Sequence, residues 1–432
     1  MPHQTDRRKF LQTTAAVGVG YFVAGNLQAQ ESKSPNERIQ FACIGIGGKG
    51  SSDSGDAANH GDVVAFCDVD RNRITGAKNR FKGAEAFTDY REMLDKLGDK
   101  IDAVTVSTPD HTHAVASAKA MKMGKHCFTQ KPLTHTIHEA RVLADIAREK
   151  GVATMMGNQG TAQPALRKAA ATIQAGALGD VTEVHVWTNR PIWPQGGPRP
   201  PEAPVPDFLD WESWVGPAEM RPYGNGYHPF AWRGFWDFGT GALGDMACHT
   251  MNMAFMALDL RNPTSVAAET SGHNEISYPK WSLITYEFGP TDQRGPVKLH
   301  WYDGGKRPDK ELLEGRNASG SGSLVIGSKG KLYSADDYGA GSELLGGAEQ
   351  PEVEFEQSPG HFDEWVRAIK GGPAATSNFP DYAGPLTETV LLGNLAVWSG
   401  KKIDWDAKNM KAKNAPELDA IIKSTYRDGY TL

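Results

Sequence analysis

After residue 38 the chain alternates short apolar runs with longer segments of helical pattern. "IQFACIGI", "DVVAFCDVD", "IDAVTVSTP", "KHCFTQKP" and "VATMMGNQ" are apolar runs that stop at polar or turn residues, the pattern of buried strands. "THAVASAKAMKMG" follows the third run as a helix, and a second helix from Ile137 to Lys150 follows the fourth. Strand alternating with helix predicts a doubly wound parallel sheet covered on both faces. Ligands of such sheets sit beyond the carboxyl ends of the strands.

The second half has a different texture. "TAQPALRKAAATIQAGALG" predicts a helix with Gly176 and Gly179 near its stop, and "DVTEVHVWTNR" alternates as a strand does. An arm from Pro191 to Trp232 follows, dense in proline and aromatic residues. Its four tryptophans argue against disorder, and an ordered loop of that length reads as a lid or an arm, over its own cleft or across a partner subunit. "SVAAETSG", "WSLITYEF" and "PVKLHWYD" then predict an α+β domain with a large, mostly antiparallel open sheet. The expected divisions are a leader over 1–30, a Rossmann domain over 36–160 and a substrate-binding and oligomerisation domain over 161–432.

Composition changes this picture little. The chain has 432 residues, 39% hydrophobic and 23% charged, with a net charge of −6, which is ordinary for a soluble protein and lacks a basic nucleic-acid footprint. Cys43, Cys67, Cys127 and Cys248 form no CxxC pair and read as small buried hydrophobes. The N-terminus does add something. "TDRRKFLQ" pairs Arg7 with Arg8 ahead of a weakly apolar stretch of small residues. It resembles a twin-arginine export signal with cleavage near Ala29. The apolar run ends short of the ~18–20 residues that span a bilayer, so no stable membrane anchor is expected. A periplasmic or otherwise exported protein, with the export machinery as a partner, is the expectation.

Candidate chemistry begins at "GIGGKG". Gly45, Gly47 and Gly50 have the G-x-G-x-x-G spacing, with Gly48 between them, immediately after the first strand. The loop is expected to turn tightly, to let backbone approach a pyrophosphate and to offer helix-start amides to it. Asp68, about 20 residues on, would accept from ribose hydroxyls. A fixed negative charge there favours NAD over NADP, although Arg71 and Arg73 keep NADP open. Ser107, Pro109 and His113 after the third strand, Gln130 and Lys131 after the fourth and Asn158 after the fifth are expected along the cofactor. "DHTH" and "LTHTIHE" place no third ligand by spacing, so no metal is expected. Asp245 and His249 are four apart in "GALGDMACHT" and share a helix face, which suits proton transfer at an alcohol.

In this order, the glycine loop, the acid after strand two, "TPDHTH", "QKP" and D-x-x-x-H resemble the glucose–fructose oxidoreductase, inositol dehydrogenase and rhizopine-catabolism family, Gfo/Idh/MocA. The ending "NAPELDAIIKSTYRDGY" is similar to its exported branch. The resemblance implies a nicotinamide-dependent oxidoreductase acting on a sugar, sugar derivative or cyclitol, in dimers or tetramers. It also implies Lys131 as the active-site lysine, with Asp245 and His249 as the substrate-side acid–base pair. One departure stands out. Gln130 replaces the glutamate of the family's Glu-Lys-Pro triplet, which leads to the expectation that Lys131 lacks a neighbouring carboxylate. Export adds the expectation of a tightly bound dinucleotide. A redox-neutral glycoside hydrolase and a non-catalytic sugar-binding protein are the alternative readings.

Overall fold

The computed structural model describes residues 38–432. The first half runs β1 (Ile39–Ile44), α1 (Lys49–His60), β2 (Gly61–Cys67), α2 (Arg71–Arg80), β3 (Glu85–Phe87), α3 (Tyr90–Leu97), β4 (Ala103–Val106), α4 (Asp110–Lys122), β5 (His126–Thr129), α5 (Ile137–Lys150) and β6 (Thr154–Met156). Its strands form one sheet in the order β3-β2-β1-β4-β5-β6, and β2 with β3, β1 with β4, β4 with β5 and β5 with β6 pair in parallel. Strands covered by helices on both faces have no wet side, which is why β1 and β4 read as continuous apolar runs. The three-residue β3 escaped the sequence because its "EAF" is too short to show a period.

The second half contains α6 (Pro164–Gln174), β7 (Val181–Trp187), α7 (Trp211–Val215), α8 (Gly241–Thr250), α9 (Asn252–Leu258), β8 (Ser265–Thr270), β9 (Ser282–Phe288), β10 (Val297–Tyr302), β11 (Gly322–Gly327), β12 (Gly330–Ser334), β13 (Glu343–Leu345), α10 (His361–Ile369), α11 (Gly384–Ser399), β14 (Ile403–Asp406), β15 (Lys411–Ala412) and α12 (Asp419–Ile422). The nine strands order as β13-β12-β11-β7-β10-β9-β8-β14-β15. The sheet is antiparallel apart from β7 against β10, a pair whose long connection through α7, α8, α9, β8 and β9 allows the parallel direction.

Two features tie the halves together, and both were invisible in the sequence. One apolar core runs from Val104 and Met156 of the first sheet to Leu299 and Trp301 of the second. In addition, α10 crosses back to the first sheet. Its Trp365 packs on Phe41 of β1 and Phe128 of β5, with ring centroids 5.8 and 5.7 Å away. Truncating a fully buried tryptophan of this kind costs about 3–5 kcal/mol. The twin-arginine reading falls on residues outside the described ones.

Candidate active site

The glycine loop is shaped by close backbone approach. Gly45 has φ +77°, and a Cβ there would lie 2.6 Å from the Ser107 carbonyl oxygen. A Cβ on Gly50 would lie 2.1 Å from the Gly45 oxygen, so α1 can begin directly against the end of β1 only without a side chain. Gly47 makes room for a side chain of the protein itself: a Cβ would meet the Arg73 guanidinium at 2.3 Å. The Gly47 and Gly48 amides have no partner among the described residues. They stand at the start of α1, whose first turn carries no acidic residue. Unpaired amides at a helix start suit the phosphates of a dinucleotide.

Asp68 follows β2, is 4% exposed and lines the same cavity. Its carboxylate accepts from the Ile46 amide and the Asp70 amide, both at 3.0 Å, and pairs with Arg73 at 3.6 Å. Burial raises its affinity for a proton, and Arg73 opposes that. Arg73 also reaches Asp70 at 3.5 Å, whereas Arg71 donates to the Asp207 carbonyl. Arg91 and Tyr430 also line this cavity, with the guanidinium 4.5 Å above the ring.

Ser107, Pro109 and Gln130 form part of the wall. Two other expected residues do not. His113 is 1% exposed, and its two ring nitrogens face the carbonyls of Pro132 and Thr108 at 2.9 and 2.8 Å. It braces the turn after β5 against the turn after β4. Asn158 is fully buried and accepts from Ser377 Oγ at 2.5 Å, so its neighbour Gln159 stands at the wall instead. Position after a strand locates a residue near the cavity, but the side-chain direction depends on what packs behind it. The other half of "DHTH" is likewise absorbed: His111 faces the carbonyls of Phe238 and Trp214.

The cavity, about 460 Å³, continues from this loop to Lys131, Asp245 and His249. Lys131 follows β5, and its Nζ donates to Asp245 Oδ1 at 2.9 Å and to the Asp245 carbonyl at 2.5 Å. The expectation of a lysine without a carboxylate neighbour is therefore corrected: Asp245 on α8 supplies one through the fold. An ammonium has three donors, and one is left over. Asp245 also pairs with Arg233 at 3.3 Å and Arg190 at 3.7 Å. Burial would raise its pKa, yet Lys131 and Arg233 hold it down at about 2.

His249 lies one turn further along α8 and is 4% exposed. Burial, followed by the charge of Lys131, pushes its pKa well below the ordinary value. Its Nδ1 has no partner among the described residues, and the ring meets Tyr338 edge-on at 4.9 Å. A neutral imidazole with a free nitrogen is ready to accept a proton. The sequence did not single out Arg190, Arg233, Tyr338 or Asp53. The two arginines flank the aromatic arm, a position that could have marked them, while Tyr338 sits in a loop without any period.

The arm closes over its own chain's cavity. Asp210 N donates to the Val69 carbonyl at 2.9 Å, Arg71 N to the Phe208 carbonyl at 2.8 Å, and His228 meets Asp70 at 3.1 Å. Trp193, Trp214 and Trp232 line the cavity, and Trp211 and Trp214 stack at 4.7 Å within a cluster that also holds Tyr227 and Phe238.

Comparison with known proteins agrees with this geometry. Residues 14–158 match the family described as oxidoreductase, NAD-binding Rossmann fold, and residues 173–432 match its C-terminal alpha/beta domain. Levoglucosan dehydrogenase of Pseudarthrobacter phenanthrenivorans is 28% identical over 41% of this chain and 38% of its own length. The scyllo-inositol 2-dehydrogenase (NAD(+)) of Bacillus subtilis is 33% identical over 28% of this chain and 32% of its own. A glycosyl hydrolase family 109 protein of Shewanella sp. strain ANA-3 is 31% identical over 36% and 39%. The chain thus spans well under half the length of these relatives. The fold is similar to that of the WlbA dehydrogenase of Bordetella pertussis, solved with NADH and UDP-GlcNAcA, at TM-score 0.60 and 17% identity over 85% of this chain and 99% of that one. With both of its domains matched in order, the chain belongs to the Gfo/Idh/MocA oxidoreductase family.

Proposed function

We propose that the protein is a nicotinamide-dependent oxidoreductase that acts on a carbinol carbon of a sugar, sugar derivative or cyclitol. The observation that carries this reading is a single cavity that joins the glycine loop and Asp68 to Lys131, Asp245 and His249. Bound NAD would supply the hydride acceptor. His249, neutral through burial, takes the proton of the substrate hydroxyl. The spare Lys131 donor bonds the same oxygen and stabilises the charge that develops there. Asp245 stays ionised and holds Lys131 in place, and Arg190 and Arg233 balance its charge. NAD is favoured over NADP because Asp68 and Asp70 occupy the charge of Arg73.

Lys131→Ala and His249→Ala are each expected to lower kcat by roughly 10²–10⁴, the range for a lost acid–base group, in assays that follow both reduced nicotinamide and sugar products. Wild-type kcat in both variants would sink the assignment. A free sugar released without net NADH would favour the redox-neutral glycoside hydrolase reading, for which the family 109 relative speaks.

We propose further that the Arg7–Arg8 leader exports the folded chain with its dinucleotide enclosed, that the arm retains it, and that two or four copies assemble. The arm's packing against its own cavity supports retention, the Arg7–Arg8 pair ahead of small residues supports export, and the assembly rests on the family resemblance. Protein recovered from the exported fraction and dialysed should keep near-stoichiometric nicotinamide, and Arg7→Lys with Arg8→Lys should leave it in the cytoplasm. Dialysed protein that is empty, or export untouched by the substitutions, would remove that part. Sedimentation as a monomer would remove the assembly.

A further inference from the structure

Asp53 lies on α1 and is 1% exposed. Its carboxylate gathers three segments of the cavity wall. Lys49 Nζ donates to Oδ1 at 2.6 Å, while Ser107 Oγ and Gln130 Nε2 donate to Oδ2 at 2.7 and 2.9 Å. These donors come from the start of α1, the end of β4 and the end of β5, three of the places where the parallel sheet meets the cavity.

An ionised carboxylate only accepts hydrogen bonds, so Gln130 must turn its amide nitrogen toward Asp53. The amide also lies flat on Gly157, where a Cβ would come within 2.5 Å of Nε2. The side chain is therefore confined on two sides. The Gln130 Oε1 is left without a partner among the described residues, on a side chain that forms part of the cavity wall.

We propose that Asp53 is a positioning residue for the dinucleotide. It fixes the Gln130 amide so that a neutral carbonyl oxygen, and not an amino group, meets a hydroxyl of the bound cofactor. It also carries the negative charge that a glutamate at 130 would otherwise bring to this corner, which is why an amide stands next to Lys131. A glutamate at 130 would face Asp53 across the distance now spanned by a hydrogen bond, two buried carboxylates competing for Lys49 and Ser107. Gln130 is thus the required partner of Asp53, and a glutamate there is harmful unless Asp53 changes too.

This inference rests on the dinucleotide reading, and the experiment separates the two. The release rate of NADH from the full chain is followed by its fluorescence on a chase with excess NAD, with Tm as a folding control. Gln130→Glu should speed release by at least about tenfold, the scale of breaking one hydrogen bond to a buried charged group. Asp53→Asn, which frees the Gln130 amide to turn round, should speed it by about threefold or more, and Asp53→Asn with Gln130→Glu should return close to the wild-type rate, because coupled neighbours are not additive. Release from Gln130→Glu at the wild-type rate, or a double variant as fast as the two single effects combined, overturns the inference while leaving the dinucleotide site intact. Should Gln130→Glu not fold, Asp53→Asn alone carries the test, and unchanged release overturns it. A wild-type protein that holds no NADH overturns the dinucleotide reading and the inference with it.

Discussion

The glycine loop and the proline-rich arm line the same cavity, but they are held by different means. The loop is held by backbone. Gly45 N donates to the Cys67 carbonyl at 2.8 Å, and the missing side chains at Gly45 and Gly50 let strand and helix pack directly against each other. The arm is held mostly by rings. Trp211, Trp214, Tyr227 and Phe238 pack edge-to-face or stacked with centroids 4.7 to 6.2 Å apart, and a few backbone bonds pin the cluster to the β2–α2 connection. A backbone-packed site is narrow in what it tolerates but involves little apolar area. A ring-packed cover tolerates sequence change better, and it contributes stability in proportion to the area it buries.

Exchanging the failure modes would break this contrast. Gly50→Val puts a Cβ 2.1 Å from the Gly45 oxygen. It should abolish NADH binding, with a loss of at least about 100-fold from an open phosphate cradle, and lower Tm as well, because backbone has to give way. Trp214→Ala should cost about 3–5 kcal/mol of stability and speed the release of bound NADH, yet leave the loop able to bind. Fluorescence titration and thermal melts of both variants read the comparison directly. A valine variant that binds normally, or an alanine variant with unchanged Tm and release rate, would end it.

A smaller effect sharpens the picture at the other end of the cavity. Burial and the charge of Lys131 lower the pKa of His249 below its ordinary 6.5. As the proposed base His249 works unprotonated, so kcat/KM should hold as pH falls to 6.5 and decline only through the lower, folded-state value. Removing the positive charge with Lys131→Met should move that acid limb upward on the residual activity, because Lys131 is a cause of the lowering second only to burial. A limb that stays in place would show that burial alone sets the proton affinity of His249.

Much of the first half was legible because its signals are local. An apolar run, a glycine spacing and an acid after the next run all lie within some thirty residues, and the parallel direction of the strands follows from the alternation itself. The spacing of Asp245 and His249 likewise needed only one helix turn, and α8 sets both side chains on the cavity. Local position misjudged the residues whose direction depends on distant packing. His113 and Asn158 stand after the right strands yet turn to Pro132 and Ser377, and Lys131 acquires a carboxylate that lies 114 residues away in sequence.

The sequence by itself determined the dinucleotide half, since strand period, turn glycines and helix starts are dictated by neighbouring residues through backbone sterics. It also marked the arm as ordered, through its tryptophans. Only the tertiary structure decided that the arm lines its own chain's cavity, that Arg190, Arg233 and Lys131 converge on Asp245, and that Asp53 fixes the amide beside the lysine. Each of these joins charged or polar groups from separate elements. Their pairing is set by which faces the shared apolar core brings together, a long-range outcome that no periodicity along the chain encodes.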